Sequence, residues 1–455
     1  MTSEAASSSG VTDNRLAFLD QAAFLRLRAT GQDTVGQVTW IYDRAVDMEG
    51  LRRFNENLGR GLLGRRIERS PLPFGRHHWI VCHDAPDIAI APSPRPRSEI
   101  GAWLDERGQI PVDPEYGPSW HIGLLPLEDG GAAVTLVTSH TVVDGAAIVI
   151  AIWEAINGQT REFGYPPARS RSRLRGVLVD GLDALRGLPE VFTALIACIA
   201  LLLNRGRESA SRPKLPTVPF SAPDEPIVSP SLTLFCDLAE WDTRAHELGG
   251  NSNALLIAFA AGLAQRIGRV NPTDGFVAIS VPVNQRATDD VRGNALTGLN
   301  FRVDPARSAT DLQLIRNEMK QGLANLQKNP DELLKPLPLV PYTPKWLARK
   351  AEGLAVSNAD SPVGCSNMKA VPQELGHADG SSSAYFSGRL FNQGATARSV
   401  EDAHGQLYLV SGQVNDRVFV SVTAYQPGAV NSTKHLRDLV EETLAEYRLT
   451  SVIDL

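Results

Sequence analysis

The chain has 455 residues, 43% of them hydrophobic and 21% charged, enough for two or three domains with a core that needs neither disulfides nor metal. Its 45 basic and 51 acidic side chains leave a net charge of −6, which argues against nucleic acid as a partner, because phosphate binding needs a basic excess. Cys82, Cys198, Cys236 and Cys365 lie far apart with no C-x-x-C pair, the usage expected of free thiols in a cytoplasmic protein.

Residues 1–14 are Ser/Ala-rich and lack the apolar stretch of a signal peptide, so they read as a disordered tail. Leu16–Leu27 has amphipathic helical spacing, Gly36–Tyr42 is strand-like, and Asp47–Leu63 carries apolar residues at helical intervals. Strands are predicted at His78–Cys82 and His121–Leu125. Ala132–Ser139 is a β-rich apolar run ending at His140, and a helix is predicted over Ala146–Ile156.

A connector is predicted over 168–226. It holds the arginines 169, 171, 173 and 175, the uncharged run Val191–Leu203, and a cluster of prolines from Pro213 to Pro226. The thirteen-residue run falls short of the roughly 20 residues of a membrane span. Being apolar all round, it is expected to be a buried helix; the other reading is a face that docks on a membrane or lipid droplet, helped by basic flanks such as Arg186, Arg205 and Arg207. Beyond the prolines, strands are predicted at Leu232–Asp237 and Phe276–Val283, and helices at Ala254–Ile267 and Asp311–Leu326. Val410–Gln413 and Arg417–Tyr425 read as paired strands turning at Asn415-Asp416, before a helix over Ser432–Tyr447. The division is 15–167, a first lobe; 168–226, a helical and Pro-rich connector; and 227–455, a second lobe, of α/β class.

Several motifs carry little. Gly59, Gly61 and Gly64 spell G-x-G-x-x-G, but a dinucleotide loop follows a strand and these follow a helical pattern. His77, His78 and His83 lack metal-ligand spacing, so no metal site is expected. No G-x-S-x-G elbow is present.

The informative segment is Ser139-His140-Thr141-Val142-Val143-Asp144-Gly145. A histidine at the end of a buried strand can be held rigidly, and its near-neutral pKa suits removal of a proton from a hydroxyl or amine. An aspartate four residues on, beside a glycine, can tie down the loop that carries it. This H-x-x-x-D-G, after a β-run and before an apolar helix, resembles the signature of the CoA-dependent acyltransferase superfamily. Chloramphenicol acetyltransferase, peptide-synthetase condensation domains and the bacterial wax ester synthase/diacylglycerol acyltransferase family belong to it. The last is most similar in order of motifs. Leu16–Leu27, with Asp20, resembles its opening helix, and Val112-Asp113 with Gly117-Pro118-Ser119-Trp120 resembles its approach to the histidine. Asn253–Leu263 resembles its "N-D-x-x-L" helix, with Ala254 in place of the aspartate. Val281-Pro282-Val283-Asn284-Gln285-Arg286 with Gly293-Asn294 resembles "V-P-V-S-x-R…G-N". Cys365-Ser366-Asn367 resembles an "S-N" turn, for which Val356-Ser357-Asn358 competes.

The resemblance implies a two-lobed chloramphenicol-acetyltransferase-like α/β fold: mixed β-sheets flanked by helices, with a tunnel between the lobes. It implies His140 as general base moving an acyl group from acyl-CoA, a co-substrate, to the hydroxyl of a lipid-like or secondary-metabolite acceptor. Asp144 and Gly145 would shape the loop, Arg286 would pair bidentately with Asp144, and Asn294 or a donor near Ser366-Asn367 would face the oxyanion. Ser139 stands where the family has a further histidine lining the channel. No resident cofactor is expected and no CoA-binding residues are identified. Two alternatives stand beside this reading: a condensation-type enzyme fed by a carrier protein, and a non-catalytic relative. The expected location is cytoplasmic, with lipid-surface contact as the open variant.

Overall fold

The computed structural model describes residues 13–210, 224–287, 289–328, 334–356 and 362–453. The expected tail therefore lies outside the described residues except for Asp13 and Asn14. Those two are placed: Asn14 Nδ2 donates to the Trp79 carbonyl at 2.8 Å and the Trp79 amide donates back at 2.6 Å. Pro213, Pro216, Pro219 and Pro223 also lie outside, as do Ser357 and Asn358.

The first part of the chain runs α1 (Phe18–Thr30), β1 (Asp33–Tyr42), α2 (Met48–Leu58), β2 (Arg65–Glu68), β3 (His78–Val81), β4 (Ala89–Ile90), α3 (Ile100–Gly108), β5 (Trp120–Pro126), β6 (Ala132–Ser139) and α4 (Gly145–Ile156). Helices α5 (Arg173–Arg186) and α6 (Leu188–Ala210) follow, within the stretch expected to be a connector. The second part begins β7 (Ser231–Asp237), α7 (Leu238–Glu247), α8 (Ser252–Arg266), β8 (Val277–Asn284), β9 (Leu296–Val303), α9 (Pro305–Ser308), α10 (Gln313–Lys328) and α11 (Lys345–Val356). It ends β10 (Val363–Ala370), β11 (Tyr385–Gln393), α12 (Ala397–Asp402), β12 (Gln406–Val414), β13 (Arg417–Tyr425), α13 (Thr433–Glu446) and β14 (Val452–Ile453).

Two mixed sheets dominate. One has the order β11-β1-β6-β5-β4, the other β14-β7-β13-β12-β10-β8-β9, and β2 pairs with β3 alone. Strand β6 lies between β1 and β5 and all eight of its residues are buried, which is why it reads as a mostly apolar, β-rich run. Strand β11 comes from the 227–455 half, yet it pairs antiparallel with β1 along Asp33–Ile41 and completes the first sheet. The second lobe is thus not self-contained in sequence. In that lobe α8 is buried at every position from Ala254 to Ala264. Ala254 is fully enclosed, and its amide is capped by Asn251 Oδ1 at 2.9 Å.

The helix around Val191–Leu203 corrects the expectation of burial. Phe192, Leu195, Ile196, Ile199 and Leu203 are exposed, Val191 and Leu201 are half-buried, and Ala194 is buried. The glycines 59, 61 and 64 end α2, and a Cβ on Gly64 would stand 1.8 Å from the Gly59 carbonyl oxygen. No single helix among the described residues is long and apolar enough to cross a membrane.

Candidate functional site

His140 follows the last residue of β6, where the sheet delivers it to the seam between the two lobes. Its amide donates to the Thr34 carbonyl at 2.8 Å, so β1 holds the strand end in place. Four residues on, Asp144 leaves the turn in an extended conformation and caps α4, accepting the Ala147 amide on Oδ1 at 2.8 Å. Gly145 is the first residue of that helix.

The other carboxylate oxygen of Asp144 reaches across the seam. Oδ2 accepts Arg286 Nη2 at 3.0 Å and the Ala295 amide at 2.8 Å, and the Asp144 amide donates to the Gly293 carbonyl at 2.8 Å. The ion pair is nearly dry, with side chains 2% and 3% exposed. It is a single contact, not the expected bidentate fork. Oδ1 is occupied by the helix cap, and the two Nη groups of Arg286 also donate to the carbonyls of Asp290 at 3.1 Å, Arg292 at 2.7 Å and Gly293 at 3.0 Å, while its Nε is buried without a partner. The arginine thus folds its own loop and pins that loop to Asp144.

A second carboxylate does the same from α1. Asp20, fully buried, accepts the Gly293 amide at 3.0 Å, the Asn294 amide at 2.6 Å and Asn294 Nδ2 at 3.1 Å. Asn294 Nδ2 also donates to the His140 carbonyl at 3.1 Å. Both amide hydrogens of Asn294 are therefore engaged, and its expected place as oxyanion donor is corrected to that of a brace behind His140. Ser366 and Asn367 lie on β10. Asn367 Nδ2 donates to Asn253 Oδ1 at 3.1 Å and its Oδ1 accepts the Lys369 amide at 2.7 Å, so its bonds go within the second lobe and not to the His140 loop.

Ser139 is fully buried. Its hydroxyl donates to Asp33 Oδ2, and Thr141 Oγ1 donates to Asp33 Oδ1 at 3.2 Å. The residues on either side of His140 are thus gripped by one carboxylate on β1. Burial pushes the Asp33 carboxyl up to about 6, against the two hydroxyl bonds. Burial likewise holds the His140 imidazole below its ordinary value, with the Asp144 charge pulling the other way. At neutral pH the ring is neutral and can accept a proton.

Asp33, Thr141 and Arg65 belong to this arrangement, and the sequence reading did not single them out. Arg65 is fully buried and donates to the carbonyls of Leu62 at 3.0 Å, Val142 at 3.1 Å and Val291, bridging the His140 loop to the 286–295 loop. Nothing marks it in the sequence, because its partners are backbone atoms. Its neighbour in space, Asp20, was visible only through the resemblance.

His78 and Asp180 form a buried pair at 3.1 Å, and no metal-binding cluster occurs among the described residues. A cavity of about 340 Å³ opens beside α5 and α6, and a wider one of about 980 Å³ lies near Phe163 and Tyr165; His140 lines neither.

No known family's sequence model and no curated protein matches the chain. Solved structures do. The first condensation domain of the CDA synthetase aligns over 97% of this chain and 100% of its own at 15% identity, with a TM-score of 0.58. A nonribosomal peptide synthetase aligns over 96% of this chain and 45% of its own at 16% identity, TM-score 0.51. The wax ester synthase/diacylglycerol acyltransferase of Marinobacter aquaeolei VT8 aligns over 96% of this chain and 98% of its own at 16% identity, TM-score 0.53. The chain therefore has the mixed α/β fold shared by condensation domains and that acyltransferase.

Proposed function

We propose that this chain is an acyltransferase that moves an acyl group from an acyl-CoA thioester to the hydroxyl of a lipid-like or secondary-metabolite acceptor, with His140 as general base. The observation that carries the reading is the bracing of one histidine. Asp33 grips its neighbours, Asn294 holds its carbonyl, and Asp144 with Arg286 locks its loop across the seam, while burial keeps the ring neutral. A loop kept only for folding does not need three anchors around an ionisable ring.

In this mechanism His140 takes the proton of the acceptor hydroxyl as its oxygen attacks the thioester carbonyl. The tetrahedral intermediate collapses, the C–S bond breaks, and the thiolate recovers the proton from the imidazolium. The products are an ester and a free thiol. Asp144 and Arg286 position the loop and take no proton. A tunnel along the seam would bring donor and acceptor to His140 from opposite ends, where holding them in line supplies much of the rate.

A second reading is favoured by the condensation domains among the structural neighbours. The thioester arrives on a carrier protein, and the product is an ester or amide. One experiment separates the two and tests both against a non-catalytic role. Free-thiol release is followed with short- and long-chain acyl-CoA and with acylated carrier protein, over a panel of alcohols and amines, beside His140→Ala. Acceptor-dependent thiol release from acyl-CoA, falling about 10²–10⁴-fold in the variant, supports the first reading. Release from the carrier alone supports the second. Equal activity in His140→Ala refutes both.

A further inference from the structure

Helices α5 and α6 carry their apolar faces outward. On α5 the exposed Leu174, Leu178, Leu182 and Leu185 recur at helical spacing and form one stripe, while Gly176 and Asp180 on the other side are buried. The buried side is polar. Asp180 accepts Ser70 Oγ at 2.5 Å and Arg171 Nη1 at 3.1 Å, and faces His78 Nε2 at 3.1 Å. These bonds pin α5 flat against the first lobe with its leucines outermost. On α6 the exposed Leu188, Phe192, Leu195, Ile196, Ile199 and Leu203 make a second stripe opposite Ala194. Twelve of the twenty-four exposed large apolar side chains among the described residues fall between Leu174 and Leu203. A water-facing surface does not concentrate them so.

The rim of this face is cationic in a chain of net charge −6. Arg169, Arg173, Arg175 and Arg186 are exposed around it against Glu190, the one exposed acid among the described side chains of the two helices, while Asp180 is buried and Asp183 is half-buried between Arg15 and Arg186. The two helices meet at a 54° bend. The short helix Leu337–Tyr342 packs beside α6, and α11, which follows it in the chain, exposes Trp346 with Lys345 and Lys350, a pairing suited to the boundary between headgroups and acyl chains. A second copy of this chain would set one arginine rim against another.

We propose that α5 and α6 seat the protein on an anionic phospholipid surface, with the leucine and isoleucine stripes among the upper acyl chains and the arginines at the headgroups. This placement is independent of the chemistry at His140. Flotation of the full chain with vesicles tests it, using phosphatidylcholine alone and phosphatidylcholine with an equal part of phosphatidylglycerol. The wild type floats with the anionic vesicles, less so as salt rises. Arg173→Ser/Arg175→Ser/Arg186→Ser weakens partitioning roughly a hundredfold, at about 1 kcal/mol per arginine. Leu178→Glu/Phe192→Glu/Ile196→Glu abolishes it with circular dichroism and Tm unchanged, since all three side chains are already exposed. A wild type that stays down with both vesicle types overturns the proposal. So does a dimer that the apolar variant converts to monomer, because the stripe then belongs to a second copy. Binding that survives the apolar variant overturns it as well.

Discussion

The hydroxyl of Ser139 and that of Thr141 converge on one buried carboxylate, Asp33, which burial pushes up to about 6. The folded state therefore holds this proton more tightly than the unfolded chain, whose aspartate titrates near 3.8. The group's contribution to stability is full below about pH 4 and is lost as pH rises through 6, a decline of up to about 3 kcal/mol. Urea unfolding between pH 4 and 7.5 shows that decline in the wild type, and Asp33→Asn removes it. His140 titrates in the opposite functional sense. Its pKa is lowered by burial, so the acid limb of kcat/KM is centred below pH 6.5, the midpoint of an unshifted histidine. A profile with its acid limb centred at 6.5 or above would contradict the burial of the base.

At the scale of the element, the turn between β6 and α4 is held by a side chain with two tasks. Asp144→Ala removes the α4 cap and leaves Arg286 buried without its counter-ion, a loss of about 3–5 kcal/mol by urea unfolding. Asp144→Asn keeps an acceptor for the Ala147 amide and recovers about 1 kcal/mol of that. This turn was legible in the sequence. The apolar run 132–139, the histidine at its end and the helix that follows lie within a residue of their predicted places, because a strand buried on both faces announces itself by composition. Helix α2 stops at Leu58, short of the predicted Leu63, where the glycines 59, 61 and 64 take the chain through tight turns. Helix α6 misled for a physical reason. Uniform apolarity signals burial only when something covers the helix, and here Ala194 faces inward while most of the large side chains look out. The expected oxyanion role of Asn294 failed similarly, since a Gly-Asn turn does not reveal that Asp20, far off in sequence, already takes its hydrogens.

For the whole molecule the decisive element is β11, which no local pattern announces. Its sequence YFSGRLFNQ mixes charged, amide and apolar positions, and its partner β1 lies some three hundred and fifty residues earlier. The return of this strand to the first sheet was not legible, because pairing across such a distance is a property of the fold. Residues 13–167 expressed alone therefore lack an edge of their sheet and aggregate. Co-expression with 224–455 restores a soluble complex, as gel filtration of the pair against each half will show. Independent folding of 13–167 would refute this.

The same strand sets a timetable for synthesis. The edge of β1 emerges early from the ribosome, but Tyr385–Gln393 cannot reach it until most of the chain has been made. At about 5–20 residues per second that interval is roughly 20–70 s. Through all of it the nascent first lobe presents an open row of backbone donors and acceptors to its surroundings. Successful production of this protein thus depends on what occupies that edge while translation continues, and slowing the ribosome lengthens the exposure instead of helping the lobe to finish.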